Sequence, residues 1–145
     1  MGRAPGLRVG ARPAPPLVAA SWSALALVPA EVVDDPRVTI ARVTSAGAVV
    51  GVALRAVGEE VLFRGLLGGV LVCRLGFARG TLLQAAAFVV PHLALLLIDA
   101  GLWPIVLIQF AAGYALGWLR HRTGTFVPGA VVHVVANVVA GLVTA

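Results

Sequence analysis

The amino-acid sequence predicts an all-α protein that crosses a membrane several times. Its composition is 60% hydrophobic and only 12% charged, with a mean hydropathy of +1.00, whereas a soluble domain has about 45–50% apolar and about 25% charged residues. Apolar runs long enough to cross a bilayer also alternate with short polar turns. We therefore expect a polytopic transmembrane helical bundle of about five spans, in which one N-terminal helix precedes a four-helix core.

The first 45 residues divide into a tail, an apolar run and a polar loop. Residues 1–16 are rich in Pro, Gly and Arg and predict a disordered basic tail. Residues 17–33 form a moderately apolar run, for which two interpretations are open. We favour a retained membrane helix over a cleaved signal peptide, because the residues before Glu31 make only a weak cleavage signal. The segment 17–45 is then one membrane helix with its connecting loop.

Residues 46–145 contain four further apolar runs joined by short turns, and we interpret them as one membrane core. The runs cover residues 46–73, 81–98, 103–119 and 125–145. Gly65 with Gly69 and Gly113 with Gly117 form two small-xxx-small pairs. Such pairs let a neighbouring helix approach closely, so we expect tight packing at both places.

Eleven arginines, with no lysine, give the chain its net charge of +5. They are scattered at predicted helix ends rather than clustered, which argues against a nucleic-acid partner. Seven lie in segments predicted to face inside and two in segments predicted to face outside, as the positive-inside rule requires. The seven are Arg3, Arg8, Arg12, Arg74, Arg79, Arg120 and Arg122, and the two are Arg37 and Arg42. We therefore expect a multi-pass protein of the cytoplasmic membrane with its N-terminus inside and the lipid bilayer as a partner.

The segment 58–65 carries the strongest functional signal, because it places charged residues inside the first run of the core. An ionisable residue within a membrane is expensive and marks a functional site by default. Glu60 and Arg64 are four residues apart, so they share one helical face and can neutralise each other. Glu59 lies about 100° further round the helix and has no such partner in this interpretation. We therefore expect another helix to use Glu59.

Two histidines and an asparagine lie within later spans, namely His92, His133 and Asn137. With a rise of about 1.5 Å per residue, they and Glu59 fall at similar depths in the middle of the bilayer. A carboxylate in a low-dielectric site is an effective base. Glu59, with His92 beside it, would deprotonate a water for attack on a carbonyl, and His133 and Asn137 would donate to the oxyanion. This is an acyl-hydrolase constellation, and a peptide bond is the expected target in a membrane protein.

Three motifs therefore stand in order on three predicted spans. They are Glu59-Glu60-x-x-x-Arg64, Phe88-x-x-x-His92 and His133-x-x-x-Asn137. Together they resemble the signature of the CAAX prenyl endopeptidase type II and CPBP (abortive-infection, Abi) family of intramembrane proteases, over residues 46–145. The resemblance implies an endopeptidase that hydrolyses a peptide bond of a membrane-associated peptide or protein substrate. A prenylated CAAX-type substrate is the family's eponymous one, although no residue here specifies a prenyl pocket.

By this resemblance four residues are catalytic and three support them. The catalytic residues are Glu59, His92, His133 and Asn137, and the supporting residues are Glu60, Arg64 and Phe88. The family has been described both as metal-dependent and as using a glutamate-activated water. Glu59, His92 and His133 would be the ligands of a zinc alternative. We expect no obligatory metal cofactor, because the chain has no His-Glu-x-x-His helix.

Two other function classes remain as alternatives. A non-catalytic membrane scaffold or immunity-type protein would keep the same fold and tolerate the loss of Glu59. A transporter with buried Glu and His residues would normally have more spans or an inverted repeat, and the sequence shows neither. Neither the substrate nor the oligomeric state is specified by any residue.

Overall fold

The computed structural model describes residues 43–143. The predicted basic tail 1–16 lies outside the described residues. The predicted membrane helix 17–33, together with its signal-peptide alternative, lies outside them as well, and so does most of the polar loop.

Residues 43–143 are almost entirely helical and contain no strand, which confirms the all-α prediction for this part of the chain. We name the four α-helices α1 to α4. In chain order the elements are α1 (Ala46–Glu59), a π-helical segment (Glu60–Leu67), α2 (Gly68–Val89), a 3-10 helix (Val90–Leu97), a short 3-10 turn (Ala100–Leu102), α3 (Trp103–Thr123) and α4 (Val127–Val143).

The ends of α1 and α3 follow ordinary capping chemistry. Ser45 precedes α1, and its hydroxyl oxygen accepts the backbone N–H of Ala48 at 3.2 Å, which satisfies one of the free donors of the first turn. Gly124 ends α3 in the left-handed conformation, with φ +74°, which glycine adopts without steric cost. Ser45 thus begins α1 at the start of its apolar run, whereas α3 continues to Thr123, four residues past the predicted run 103–119.

The charged motif lies in the π-helical segment, which joins α1 to α2 without a break. The N–H of Gly68 donates to the carbonyl of Phe63, five residues earlier, as a π-turn requires. A Cβ at position 68 would lie 2.8 Å from that carbonyl oxygen. Glycine therefore allows this wide turn to form. The turn sets the positions of the Glu60 and Arg64 side chains.

The helical chain doubles back at Gly76, inside α2. Gly76 has φ 77° and ψ 169°, a conformation that is essentially restricted to glycine. A Cβ at Gly80 would lie 2.6 Å from the backbone of Val72, and one at Gly68 would lie 3.3 Å from Gln84. The two arms therefore run antiparallel in close contact. The predicted reversal is confirmed, but the predicted loop 74–80 is helical except at Gly76.

α3 packs against the second arm of α2 through the glycine pair predicted from the sequence. A Cβ at Gly113 would lie 3.3 Å from the Cα of Ala85, and one at Gly117 would lie 2.7 Å from the side-chain oxygen of Gln84. This confirms the close approach expected of that pair. At the other pair, Gly65 with Gly69, side chains pack in place of a helix backbone, since Gly69 lies next to the guanidinium of Arg120.

α4 runs antiparallel to α1. The backbone N–H of Val43 donates to the carbonyl of Gly141 at 3.0 Å, at one end of the pair. At the other end, the side chain of His133 on α4 reaches Glu60, immediately after α1. This arrangement brings the last motif of the sequence onto the first.

The distribution of polarity is the reverse of that in a soluble protein. More large apolar side chains are exposed than buried, whereas Glu60, Arg64, Thr81 and Gln84 are all fully buried. Two helical stretches, 46–97 with its reversal and 100–123, are long and apolar enough to cross a membrane, and α4 is apolar but shorter. The five-span count stays a prediction.

We predict that Gly80→Ala destabilises the protein by about 1–3 kcal/mol, because the new methyl group would meet the backbone of Val72, which cannot move aside. The measurement is the unfolding midpoint of purified protein in detergent. Gly51→Ala is the matched control, because nothing lies within 4 Å of a Cβ at that helical position. Equal stability of the two variants would show that the arms are not packed as described.

Candidate active site

Glu60 and Arg64 form a fully buried ion pair. Arg64 Nη1 lies 2.8 Å from Glu60 Oε1, and neither side chain is exposed. The atoms are at ion-pair distance, although their angle is not that of an aligned hydrogen bond. This is the pair that the four-residue spacing predicts. Removing either partner would leave an uncompensated charge in the interior.

Phe88 covers the buried guanidinium. The Arg64 Cζ atom lies 4.2 Å from the centre of the Phe88 ring, within the range of a cation–π contact. The edge of the Phe63 ring packs on Phe88 with centroids 5.2 Å apart. Phe88 therefore contributes packing and charge stabilisation at the same point, and its supporting role in the site stays a prediction.

His133 joins the same carboxylate from α4. Its Nδ1 lies 2.9 Å from Glu60 Oε1, across 73 residues of sequence. A carboxylate only accepts hydrogen bonds, so we assign the proton to Nδ1. Glu60 therefore does more than neutralise Arg64, because it also fixes the tautomer and orientation of His133. The sequence motifs gave no sign of this second contact.

The close approach of α4 at this point depends on Gly129. A Cβ at position 129 would lie 3.2 Å from Glu60 Oε2. That oxygen is buried and has no hydrogen-bond partner among residues 43–143. The small residue lets α4 lie against the carboxylate, which places His133, one turn further on, within reach of Oε1.

Glu59 has a local partner that the sequence analysis missed. Arg55, one turn earlier on α1, places its Nε 3.2 Å from Glu59 Oε1. The expectation that Glu59 lacks a partner on its own helix is therefore wrong, and the four-residue spacing rule applied toward the N-terminus would have found Arg55. We also expected a residue on another helix to approach Glu59, and His133 does so from α4.

The second oxygen of Glu59 faces the free nitrogen of His133. Glu59 Oε2 lies 3.6 Å from His133 Nε2, which is too long for a direct hydrogen bond. A water in contact with both atoms would lie beside the line that joins them, because 3.6 Å is too short for a water to lie between them. Glu59 is 22% exposed and His133 10%, so the gap is open from one side while Glu60 behind it is sealed.

His92 is oriented by the break that Pro91 makes in its helix. In the 3-10 segment, the Phe88 carbonyl would pair with the N–H of residue 91, which proline lacks. The His92 Nδ1 lies 2.9 Å from that carbonyl and donates to it. Nε2 of the neutral ring is therefore left as an acceptor.

The ring of Phe88 contacts both histidines. Its centroid lies 4.9 Å from that of His92 and 6.1 Å from that of His133. No hydrogen bond or ion pair joins His92 to Glu59 within the described part of the chain, so His133 is the histidine beside Glu59. Asn137 follows His133 by one turn on α4, is partly buried, and has no hydrogen-bonded side-chain partner among residues 43–143.

The zinc alternative requires three ligands that converge. Within residues 43–143 no group of three His, Cys, Asp or Glu side chains is close enough to hold a metal ion. Glu59 and His133 are neighbours, but His92 does not complete the set. The predicted ligands therefore do not fit a three-ligand metal centre in this arrangement.

A comparison with protein families decides where the chain belongs. The model described as Rce1-like, type II CAAX prenyl endopeptidase Rce1-like, matches residues 42–139. The chain belongs to the Rce1-like family. The matched range begins just before α1 and ends just after Asn137, so it contains every residue of the three motifs. A search of the curated proteins gave no match, and neither did a search of the solved structures.

Membership confirms the central resemblance drawn from the motifs. The Rce1-like family is one of CAAX-type proteases, and with two long apolar helical stretches the chain is a membrane protein. The wider CPBP and abortive-infection grouping stays a prediction.

We predict that Glu60→Gln destabilises the protein by about 3–5 kcal/mol, because it leaves the Arg64 guanidinium buried without a counter-charge. The double variant Glu60→Gln, Arg64→Gln should recover part of that loss. Unfolding in detergent measures both, with Arg74→Gln as the control at an exposed arginine. A double variant less stable than the sum of the single changes would contradict the ion-pair assignment.

Proposed function

We propose that this Rce1-like chain is an intramembrane endopeptidase that hydrolyses a peptide bond of a membrane-associated, CAAX-type substrate through a water activated by Glu59. The observation that supports this most is the gap of 3.6 Å between Glu59 Oε2 and His133 Nε2. A carboxylate held on one side by a guanidinium faces an imidazole held by a second carboxylate. Glu59 is then the group that takes a proton, and His133 donates to developing negative charge only in the form that also carries a proton at Nε2.

Glu59 acts as the general base. Arg55 engages Oε1, so Oε2 is the oxygen left to accept a proton from water. The water oxygen attacks the substrate carbonyl carbon as its proton passes to Glu59, and the carbonyl becomes an oxyanion. Glu59 then returns the proton to the amide nitrogen, the C–N bond breaks, and a carboxylic acid and an amine are released.

We assign His92 the task of holding the water from the motif resemblance, because no contact among the described residues joins it to Glu59 or to His133. The Nδ1–H of His92 is committed to the Phe88 carbonyl, so the neutral ring offers only an acceptor at Nε2. An acceptor can orient the attacking water but cannot donate to an oxyanion. Both histidines hold a proton at Nδ1, so they differ only in the partner of that proton, which is a neutral carbonyl for His92 and a carboxylate for His133.

His133 and Asn137 suit the task of binding the oxyanion. Glu60 accepts from Nδ1 of His133 and would stabilise the ring when it carries a second proton at Nε2, much as a buried carboxylate supports a catalytic histidine elsewhere. In that form Nε2 donates toward the gap beside Glu59. The amide of Asn137, one turn along α4, is a second donor with no partner of its own in the described residues.

The proposed location is a multi-pass arrangement in the cytoplasmic membrane with the N-terminus inside. It is supported by the distribution of arginines in the sequence and by the apolar outer surface of the helices. The scissile bond would then lie at the depth of Glu59, within the apolar layer. Water exclusion there strengthens each electrostatic contact at the site.

We predict that Glu59→Gln lowers cleavage of a CAAX-type peptide by several orders of magnitude, because glutamine keeps the size and polarity but is not a base. Asn137→Ala should cost less, on the order of 100- to 1,000-fold, as loss of one oxyanion donor does. Asp99→Asn, at a capping acid outside the site, should retain activity. The measurement is turnover of purified protein in detergent, with circular dichroism to confirm folding.

A chelator is added to each assay to test the zinc alternative. We expect activity to survive chelation, and a loss that added zinc restores would contradict the water-only mechanism. Unchanged cleavage by Glu59→Gln would remove Glu59 as the base. Full biological function without any Glu59-dependent cleavage would favour the scaffold alternative.

A further inference from the structure

Arg55 lies on an apolar face of α1. The proposed mechanism uses only its contact with Glu59. Its side chain is 65% exposed, and its neighbours Leu54 and Val57 are exposed apolar residues. A guanidinium at such a place is costly unless it meets an anion. The anion it meets, Glu59, is only one turn away and is itself part of the proposed site.

The contact with Glu59 leaves most of the guanidinium free. Arginine has five N–H donors in a planar fork, and two parallel donors bind a carboxylate in bidentate fashion. The contact with Glu59 is made through Nε, which lies 3.2 Å from Oε1. The outer N–H groups have no hydrogen-bond partner among the described residues, so they can bind a second anion.

We propose that Arg55 binds the C-terminal carboxylate of the peptide substrate. This inference rests on the proposed function, since it assigns a recognition role to a residue beside the proposed base. It makes the site specific for peptides that end close to the cleaved bond, and it adds a binding determinant outside the three sequence motifs.

The distances agree with a substrate cleaved within its last four residues. A CAAX motif is the C-terminal tetrapeptide, so any bond inside it lies within about 10 Å of the terminal carboxylate when the chain is extended. Arg55 holds Oε1 of Glu59, whereas Oε2 faces the gap to His133. Arg55 and the gap therefore lie at different oxygens of one carboxylate, a separation that falls within the reach of a short peptide.

The other charges near the site do not compete for this role. Arg64 is fully buried and paired with Glu60, so a substrate cannot reach it. Arg74 is exposed but lies beside the reversal at Gly76, at the other end of the first arm. Arg74→Gln is therefore a matched control for removal of an exposed arginine.

The test compares two peptides of identical CAAX-type sequence, one ending in a free carboxylate and one in a carboxamide. We expect amidation to lower kcat/KM of the full chain on the order of 10- to 100-fold, mainly through KM, as loss of a charged hydrogen bond does. Arg55→Gln should lower kcat/KM for the acid by a similar factor and no longer distinguish the two peptides. Arg55→Lys should retain part of the preference, and Arg74→Gln all of it.

Two results would overturn the inference while leaving the proposed function intact. One is Glu59-dependent cleavage by the unmodified chain that is equal for acid and amide. The other is an Arg55→Gln variant that loses kcat equally for both peptides and keeps the preference, since Arg55 would then act only on Glu59. The effect of Arg55→Gln on cleavage is also compared between phosphatidylglycerol and phosphatidylcholine vesicles. If that effect appears only with the anionic lipid, Arg55 binds lipid phosphate, and the inference is overturned.

A binding measurement tests the inference independently of turnover. The affinity of the acid and amide peptides for the unmodified chain and for Arg55→Gln is measured by tryptophan fluorescence. Tighter binding of the acid that is lost in Arg55→Gln supports the carboxylate site. Equal affinities overturn it. Absence of cleavage by the unmodified chain would count against the proposed function instead.

Discussion

One buried carboxylate organises the centre of this protein. Glu60 Oε1 contacts both Arg64, within its own helical segment, and His133, from α4. An isolated charge in such an interior would cost several kcal/mol, so the pair with Arg64 is a condition for keeping Glu60 there at all. The contact with His133 also affects the chemistry of the site, because it decides which nitrogen of the imidazole faces Glu59.

The glycines of the fold serve this arrangement. Gly68 allows the π-turn that carries Glu60 and Arg64, and Gly129 allows α4 to lie against the carboxylate. Gly113 brings α3 against Phe88, whose ring covers Arg64 and contacts both histidines. In a bilayer, helices gain little from burying apolar side chains, so close packing and polar contacts supply the association energy. The contacts that form the candidate site therefore also hold the helices together.

The sequence predicted the parts of the site that depend on local spacing. The four-residue interval gave the pair of Glu60 with Arg64, and the order of the motifs identified the family. Helical depth placed His133 level with Glu59, and the two do meet. These predictions succeed because helical geometry is fixed once an apolar run is recognised.

The parts that the sequence did not predict depend on tertiary contacts or on unusual backbone geometry. No local pattern indicates that His133 donates to Glu60 across 73 residues. The π-turn has no signal except Gly68, and a reversal at one glycine looks, in sequence, like a longer basic loop. Arg55 is different, because the same spacing rule would have revealed its pair with Glu59 had it been applied in both directions.

The protonation state of His133 tests the central claim most directly. The chain has three histidines, so nitrogen NMR of the protein labelled at the imidazole nitrogens resolves each ring. We predict that His133 carries a proton at Nδ1, and that Glu60→Leu, which removes the acceptor, abolishes this preference while His92 keeps its own. Spectra in which His133 is unaffected by Glu60→Leu, or in which its Nδ1 is unprotonated in the unmodified chain, would contradict the central role of Glu60.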